Sequence, residues 1–226
     1  MPSLHAYPYN RLLAALPPAE YQRVRAQLEP RSLAFGTLLY DAGQEIRQVY
    51  FPQSALVSLL ALVPGHPGLE IAMVGREGMV GSAVALGESV STVRTVVQCS
   101  GSCLCMDADC FRAYFDEALT LHRQVLQCAQ CLTLQMAETA ACNHFHTIVQ
   151  RLARWLLMAQ DRVGADQFHL TQEFLGNMLG VRRAGVTTAA HQLKAQGLID
   201  YSRGDIEILD TDGLMAQACS CYRKAL

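Results

Sequence analysis

Two adjacent arginines, Arg182 and Arg183, follow a glycine that separates two short apolar-periodic segments. A guanidinium group can donate paired hydrogen bonds to O6 and N7 of guanine, or bind phosphate oxygens. Thr187 and His191 share a face with Arg183, and this face carries no carboxylate. The opposite face is an apolar stripe at helical spacing, formed by Val186, Ala189, Ala190 and Leu193. The pattern predicts a helix whose exposed face can approach a polyanion.

A second helix is predicted just before this one. Thr171 is a good N-cap, Gly176 lies inside the helix, and Gly180 ends it. Glycine inside a helix costs about 1 kcal/mol relative to alanine, which suggests close approach of another helix. Helix, glycine turn and helix together predict a helix-turn-helix, with the second helix in a major groove.

A β-hairpin is predicted after the second helix. Leu198 and Ile199 begin a strand, residues 202–205 (SRGD) make a tight turn, and Ile206 and Ile208 alternate with acids on the return strand. The hairpin is expected to form a wing beside the helix-turn-helix, with Arg203 at its tip against a phosphate.

The preceding parts of the chain must position this module. Residues 31–106 contain short β-prone runs between turn residues, which predict an antiparallel sandwich or small barrel. Residues 108–141 contain neither glycine nor proline and predict a short helix followed by a long one. A further helix with a broad apolar face is predicted to begin near 148 and to end at Gly164.

The long helix carries a seam at alternating steps of four and three: Leu121, Val125, Cys128, Leu132, Gln135, Thr139 and Cys142. This spacing favours pairing with a second copy of the chain. We assign the contacts of the pair to Leu121, Val125, Cys128, Leu132 and Met136. The alternative is a helix that packs on its own barrel.

The nine cysteines allow several interpretations. Cys128 and Cys131 form a C-x-x-C, followed by Cys142, His144 and His146, and residues three apart on a helix can share a metal ion. The favoured interpretation is that these cysteines are small apolar seam residues, and no metal site is assigned. A disulfide switch across a dimer through Cys128 and Cys142 is a further alternative. Cys219 and Cys221 are expected to be exposed thiols in a tail.

Bulk properties set the remaining expectations. The net charge is −2, so any DNA-binding face must be local. No apolar run is long enough to span a membrane, and the N-terminus lacks the pattern of a signal peptide. We therefore expect a cytoplasmic protein with reduced cysteines.

The whole chain resembles the Crp/Fnr family of bacterial transcription regulators. The segments that carry the resemblance are MVGREGMVG (73–81), RLARWLLMAQDRV (151–163) and LTQEFLGNMLGVRRAGVT (170–187). It implies an α+β fold: an N-terminal cyclic-nucleotide-binding-type β-barrel (jelly roll), a long dimerisation helix and a C-terminal winged helix-turn-helix. The corresponding ranges are 1–107 with the N-terminal helices, 108–142 and 143–226.

The resemblance also implies roles for residues at matching positions. Those expected to contact DNA, together with His191 and Arg203, are Thr171, Arg182, Arg183, Ala184, Thr187 and Thr188. Well-known members have a base-reading glutamate where this chain has Ala184, so its operator should differ.

The expected effector pocket departs from the cyclic-nucleotide binders of the family. Their Gly-Glu pair becomes Gly81-Ser82, and near their Arg-Ser or Arg-Thr pair stand Arg94 and Thr95. The family's iron–sulfur sensors use closely spaced cysteines near the N-terminus, whereas the first cysteine here is Cys99.

These features predict a homodimeric regulator that binds a near-palindromic DNA operator and is not an enzyme. The sequence itself requires no cofactor, and it leaves open which effector, if any, the barrel binds. The regulator's partners would be double-stranded DNA, a second copy of the chain and RNA polymerase. No association with a membrane is expected. The alternative is a module that binds a small molecule or protein through its barrel and uses the winged helix as an interaction surface.

Overall fold

The computed structural model describes residues 9–202 and 204–224. Contacts divide the chain into two compact units, one containing residues up to 58 and 73–131, the other containing 59–72 and residues from 132 onward. The β-rich region, long helix and helix-turn-helix follow one another in the expected order, which confirms the α+β class.

The first part of the chain is rich in β-structure. Two short helices precede it, and a 3₁₀ helix, Ser82–Leu86, interrupts it. The elements in chain order are α1 (Arg11–Ala14), α2 (Pro18–Arg25), β1 (Glu29–Leu33), β2 (Leu38–Tyr40), β3 (Gln48–Pro52), β4 (Leu56–Ala61), β5 (Leu69–Val74), β6 (Arg94–Cys99), β7 (Gly101–Asp107), α3 (Ala108–Glu117) and α4 (Leu119–Phe145).

These strands form two sheets, ordered β1-β7-β3 and β2-β6-β4-β5. β7 pairs antiparallel with both neighbours, and its register places Glu29 opposite Cys105 and Gln48 opposite Asp107. The apolar core of the first unit includes Phe51 on β3 and Phe111 on α3, whose ring centroids lie 6.4 Å apart. The antiparallel β-structure predicted for residues 31–106 is therefore confirmed.

The second unit contains the remaining helices and a small sheet. Its elements are α5 (Ile148–Val163), β8 (Gln167–His169), α6 (Gln172–Leu179), α7 (Arg183–Ala195), β9 (Ile199–Ser202), β10 (Asp205–Ile208), α8 (Thr211–Gln217) and α9 (Cys221–Lys224). A capping box at Thr147 begins α5, and Gly164 ends it in the left-handed conformation, as predicted.

Residues 59–72 pack with the C-terminal helices as part of the second unit. Glu70 and Trp155 are both buried, and the indole N–H of Trp155 donates a hydrogen bond to the Glu70 carboxylate at 2.7 Å. A buried carboxylate needs such a donor because burial removes its hydrogen bonds to water.

The two faces of α4 differ in burial. Leu121 and Val125 are fully buried within the chain itself, and Cys128 is half-buried, with Gly78 packed against its sulfur. The opposite face is exposed; we call it the open face, defined by Leu119, Leu126, Leu134, Ala137 and Ala141. In the single chain, therefore, the first part of the predicted seam packs on its own unit.

The expectation that Cys219 and Cys221 are exposed is wrong, because both are at most 7% exposed. The reason is the neighbouring Tyr222, which is itself buried and donates a hydrogen bond to Asp161 on α5 at 3.0 Å. This anchor holds the segment between α8 and α9 against the unit.

Candidate nucleic-acid interface

Local sequence fixes both ends of α6. The Thr171 hydroxyl accepts a hydrogen bond from the backbone N–H of Phe174 at 3.2 Å, and Glu173 lies in the first turn, where a negative charge is favoured. Gly180 ends the helix with φ of 62°, a conformation that side chains disfavour. Thr171 therefore caps a helix, and its side chain remains exposed.

Gly176 determines how closely the next helix approaches. A β-carbon at this position would stand 3.0 Å from the carbonyl oxygen of Val181 and 3.6 Å from the α-carbon of Arg183. The glycine therefore allows the turn and the start of α7 to lie directly on α6, as the sequence suggested.

α7 is amphipathic in the predicted sense. Its buried stripe is the one identified from the sequence: Val186, Ala189, Ala190 and Leu193. Arg182 is the N-cap residue and Arg183 the first helical residue, and both are exposed, as are Ala184, Thr188 and His191. Among the residues that the structure describes, neither arginine has an ion-pair partner, so both guanidinium groups are available for a ligand.

The two threonines of α7 differ in environment. The Thr187 hydroxyl is half-buried and lies 2.7 Å from the Gln172 amide oxygen and 3.0 Å from the Arg183 carbonyl, so it joins α7 to α6. The exposed Thr188 hydroxyl donates to the Ala184 carbonyl at 3.1 Å. Thr187 thus positions the helix, and Thr188 faces outward.

A three-stranded antiparallel sheet of order β8-β10-β9 follows α7. The β9–β10 hairpin that the sequence predicted is present, with Ser202 opposite Asp205 and Gly204 in the turn at φ of 96°. Arg203, predicted to reach a phosphate from this turn, lies outside the described residues. The sequence did not predict the third strand, β8, because this strand is only three residues long.

Charged groups at the base of the wing are paired. Lys194, near the end of α7, forms an ion pair with Asp200, and this hydrogen bond lowers the pKa of Asp200. Burial raises the pKa of Tyr201 on β9, while a hydrogen bond to the backbone of Gln172 and the charge of Arg183 lower it. Free positive charge on α7 is therefore concentrated at the N-terminal end of the helix.

The expected effector residues lie in the first unit. Gly81 adopts φ of 91° and precedes the 3₁₀ helix that begins at Ser82, and Thr95 is fully buried. The guanidinium of Arg94 forms two hydrogen bonds with the Asp41 carboxylate, at 2.7 and 3.0 Å. This pair lowers the pKa of Asp41. Arg94 is thus already engaged by an anion of the chain itself.

Comparison with known proteins identifies the C-terminal module. Residues 150–217 match the family model described as "Crp-like helix-turn-helix domain". The chain has the Crp/Fnr fold and carries a Crp-like helix-turn-helix domain. The fold and the helix-turn-helix that the resemblance implied are thereby confirmed. No curated protein matches the chain significantly.

Several solved structures share the complete Crp/Fnr fold. FixK2 from Bradyrhizobium japonicum is 15% identical, covers 85% of this chain and 98% of its own, and has a TM-score of 0.72. A candidate transcriptional regulator of the Crp/Fnr family from Eubacterium rectale is 16% identical, with 92% and 98% coverage and a TM-score of 0.69. The c-di-GMP-responsive global regulator CLP of Xanthomonas campestris is 16% identical, with 84% and 98% coverage and a TM-score of 0.68. At these identities the likeness concerns the fold.

The helices of the Crp-like domain and of the β-rich region differ from membrane spans. Across residues 9–202 and 204–224, none combines the length and apolar content needed to cross a bilayer.

Proposed function

We propose that the chain is a sequence-specific transcription regulator that binds a near-palindromic operator as a homodimer. The observation that carries the proposal is the pair Arg182 and Arg183 where α7 begins, both exposed and both without an ion-pair partner in the described part of the chain. Residues near the start of a recognition helix reach base edges in the major groove. Each paired arginine–guanine contact is worth about 1–3 kcal/mol of discrimination.

We propose two kinds of DNA contact, those that recognise bases and those that position the protein on the phosphate backbone. Arg183 and Arg182 would bind guanine edges or phosphates, with Ala184, Thr188 and His191 on the same exposed surface. Thr171 at the N-terminus of α6 would contact a phosphate. Thr187 would act by holding α7 on α6, and Arg203 would reach a phosphate from the wing.

The open face of α4 supports the homodimer. A solvated surface with three leucines, Leu119, Leu126 and Leu134, is suited to pairing with its symmetric copy. We therefore assign the pairing to this face, while Leu121 and Val125 hold α4 within the chain. Cys128, Leu132 and Met136 are half-buried and lie nearer to that inner face. Two recognition helices would then enter major grooves about 34 Å apart.

The remaining parts of the proposal follow from this role. The chain divides into a sensor region (1–107), a dimerisation region (108–142) and a DNA-binding region (143–226). Its partners are double-stranded DNA, a second copy and RNA polymerase, and it acts in the cytoplasm. An effector held by the β-rich region would gate binding. We propose that this effector is not a cyclic nucleotide, because Ser82 replaces the expected glutamate and Arg94 already pairs with Asp41.

The test is selection from a random DNA duplex library by the purified protein at near-physiological salt. Enrichment of a two-fold symmetric site supports the proposal, and its half-site spacing tests the dimer. A selection that enriches no site, either alone or with cell extract, would favour a module that binds another protein or a small molecule. Added cyclic nucleotide is expected to leave the selected site and its affinity unchanged.

A further inference from the structure

Four side chains that commonly bind metal ions meet in the second unit. Cys142, His146, Cys219 and Cys221 each offer one ligand atom, and these atoms all lie within 4.8 Å of one another. The Cys142 sulfur lies 3.4 Å from Nδ1 of His146 and 3.5 Å from the Cys219 sulfur, and the Cys221 sulfur lies 3.9 Å from the same nitrogen. The three cysteines are buried and the histidine is half-buried.

The fold brings these residues together from two distant segments. Cys142 lies in the last turn of α4, and His146 directly follows the helix. Because they are four residues apart, they share one face. Cys219 and Cys221 flank the start of α9, where the bond from Tyr222 to Asp161 fixes the chain. The four positions are thus held by ordered elements on both sides.

The distances suit a single tetrahedral ion. With Zn–S of about 2.3 Å and Zn–N of about 2.0 Å, ligand atoms in a tetrahedron stand roughly 3.5–3.8 Å apart. The separations of 3.4, 3.5 and 3.9 Å fall close to this range, and the other ligand atoms lie within 4.8 Å of one another. A disulfide needs sulfurs about 2.05 Å apart, and all three cysteines are free thiols. Thiolate and imidazole ligands in such a tetrahedron favour Zn²⁺.

Buried positive charge lies beside the last turns of α4, which carry Cys142. Arg154 on α5 is only 7% exposed, and its Nε and Nη2 atoms have no hydrogen-bond partner among the described residues. Its guanidinium lies 4.0 Å from the Glu138 carboxylate, one helical turn before Cys142 on α4. Three thiolates, one neutral imidazole and Zn²⁺ sum to a single negative charge. That charge, together with the Glu138 carboxylate, would compensate the buried guanidinium.

We propose that Cys142, His146, Cys219 and Cys221 form a structural zinc site that fastens the C-terminal segment to the end of α4. On binding, the three thiols release their protons to solvent and their sulfurs coordinate the ion, without any change in oxidation state. The free energy of binding then stabilises the folded unit. With all four positions filled by protein ligands, the ion has a structural role.

The first experiment measures metal content and coordination directly. The full-length protein is reduced, stripped of metal and titrated with Zn²⁺ against a chromophoric chelator, and bound zinc is quantified by mass spectrometry. One Zn²⁺ per chain is expected. Replacement by Co²⁺ should give the strong visible bands of a tetrahedral site together with sulfur-to-cobalt charge transfer.

Matched variants assign the ligands. Cys219→Ser and His146→Ala should each weaken zinc binding at least tenfold, since even loss of an outer partner costs roughly 10–100-fold. Cys131→Ser and His144→Ala change exposed residues of the same helix and should bind zinc like the wild type. Circular dichroism checks that each variant is folded.

Two results would overturn the proposal. One is a reduced, folded wild-type protein that binds no Zn²⁺ and gives no tetrahedral Co²⁺ spectrum. The other is equal loss of zinc in the cluster variants and in the two controls. Neither result depends on DNA binding, so the zinc site and the proposed regulator stand or fall separately.

Discussion

The carbonyl oxygen of Val181 lies 3.0 Å from the point that a β-carbon on Gly176 would occupy. The backbone of the turn therefore rests on the backbone of α6. Gly176→Ala should destabilise the domain by about 1–3 kcal/mol, since the added methyl must push a main-chain oxygen rather than a flexible side chain. Thermal or urea unfolding measures this loss, and DNA affinity should fall with it because α7 is displaced.

Gln192→Ala is a suitable control for the glycine variant. Gln192 is exposed on α7, where alanine is a good helix former. The free energy of unfolding of this control variant should remain within a few tenths of a kcal/mol of the wild-type value. If Gly176→Ala were as stable as Gln192→Ala, the close helix contact would be refuted.

Arg183→Ala is expected to weaken binding to the selected operator roughly 5- to 150-fold, which corresponds to the loss of one paired base contact. Fluorescence anisotropy against the selected and a scrambled duplex separates specific from general binding. Arg25→Ala removes one exposed charge from α2 and should change neither value appreciably. Equal affinities of Arg183→Ala and the wild type for the selected site would exclude base reading by Arg183.

Leu134→Glu should convert the proposed dimer to a monomer, because it places a charge at the centre of the open face of α4, where a second copy would bury it. Sedimentation velocity measures the mass of the particle. Leu86→Glu makes the same change at another exposed leucine, on the 3₁₀ helix, and should leave the dimer intact. A dimeric Leu134→Glu protein would place the interface elsewhere.

Gly78→Ala should destabilise the first unit, since its β-carbon would stand 2.8 Å from the sulfur of Cys128. Cys128→Ala removes that sulfur, so the double variant should recover part of the loss. A double-mutant cycle by urea unfolding gives the coupling, expected at about 0.5–3 kcal/mol. Additive effects of the two changes would contradict the contact.

Cys128 should react slowly with iodoacetamide, because burial raises the pKa of its thiol to about 11. A raised pKa leaves little thiolate at pH 8, and only the thiolate is a strong nucleophile. Cys131, three residues later and exposed, should be modified first. Peptide mapping at several times gives both rates, and equal rates would contradict the burial of Cys128.

The helix-turn-helix could be predicted from sequence because its signals are local. Thr171, Gly176 and Gly180 act on residues within a few positions of themselves, and the 3.6-residue period of α7 identifies its buried side. The wing could be predicted from sequence for the same reason, because its tight turn and alternating strand lie within ten residues.

The faces of α4 and the cysteine cluster depend on contacts between distant residues. A four-three apolar repeat shows that a face is buried but does not say what covers it; Leu121 and Val125 are covered by their own chain. Cys142 and Cys219 meet although 77 positions separate them. No spacing rule spans that distance, so the sequence suggested the nearer partners Cys128 and Cys131 instead.

The hydrogen bond between Trp155 and Glu70 has an optical consequence. Trp155 is the only tryptophan of the chain, so the intrinsic fluorescence of the protein above the tyrosine band comes from one buried indole. Its N–H donates to the Glu70 carboxylate of the segment 59–72, so release of that segment would break this hydrogen bond and change the emission of the indole. The molecule therefore contains its own fluorescent reporter of whether this segment is docked on α5.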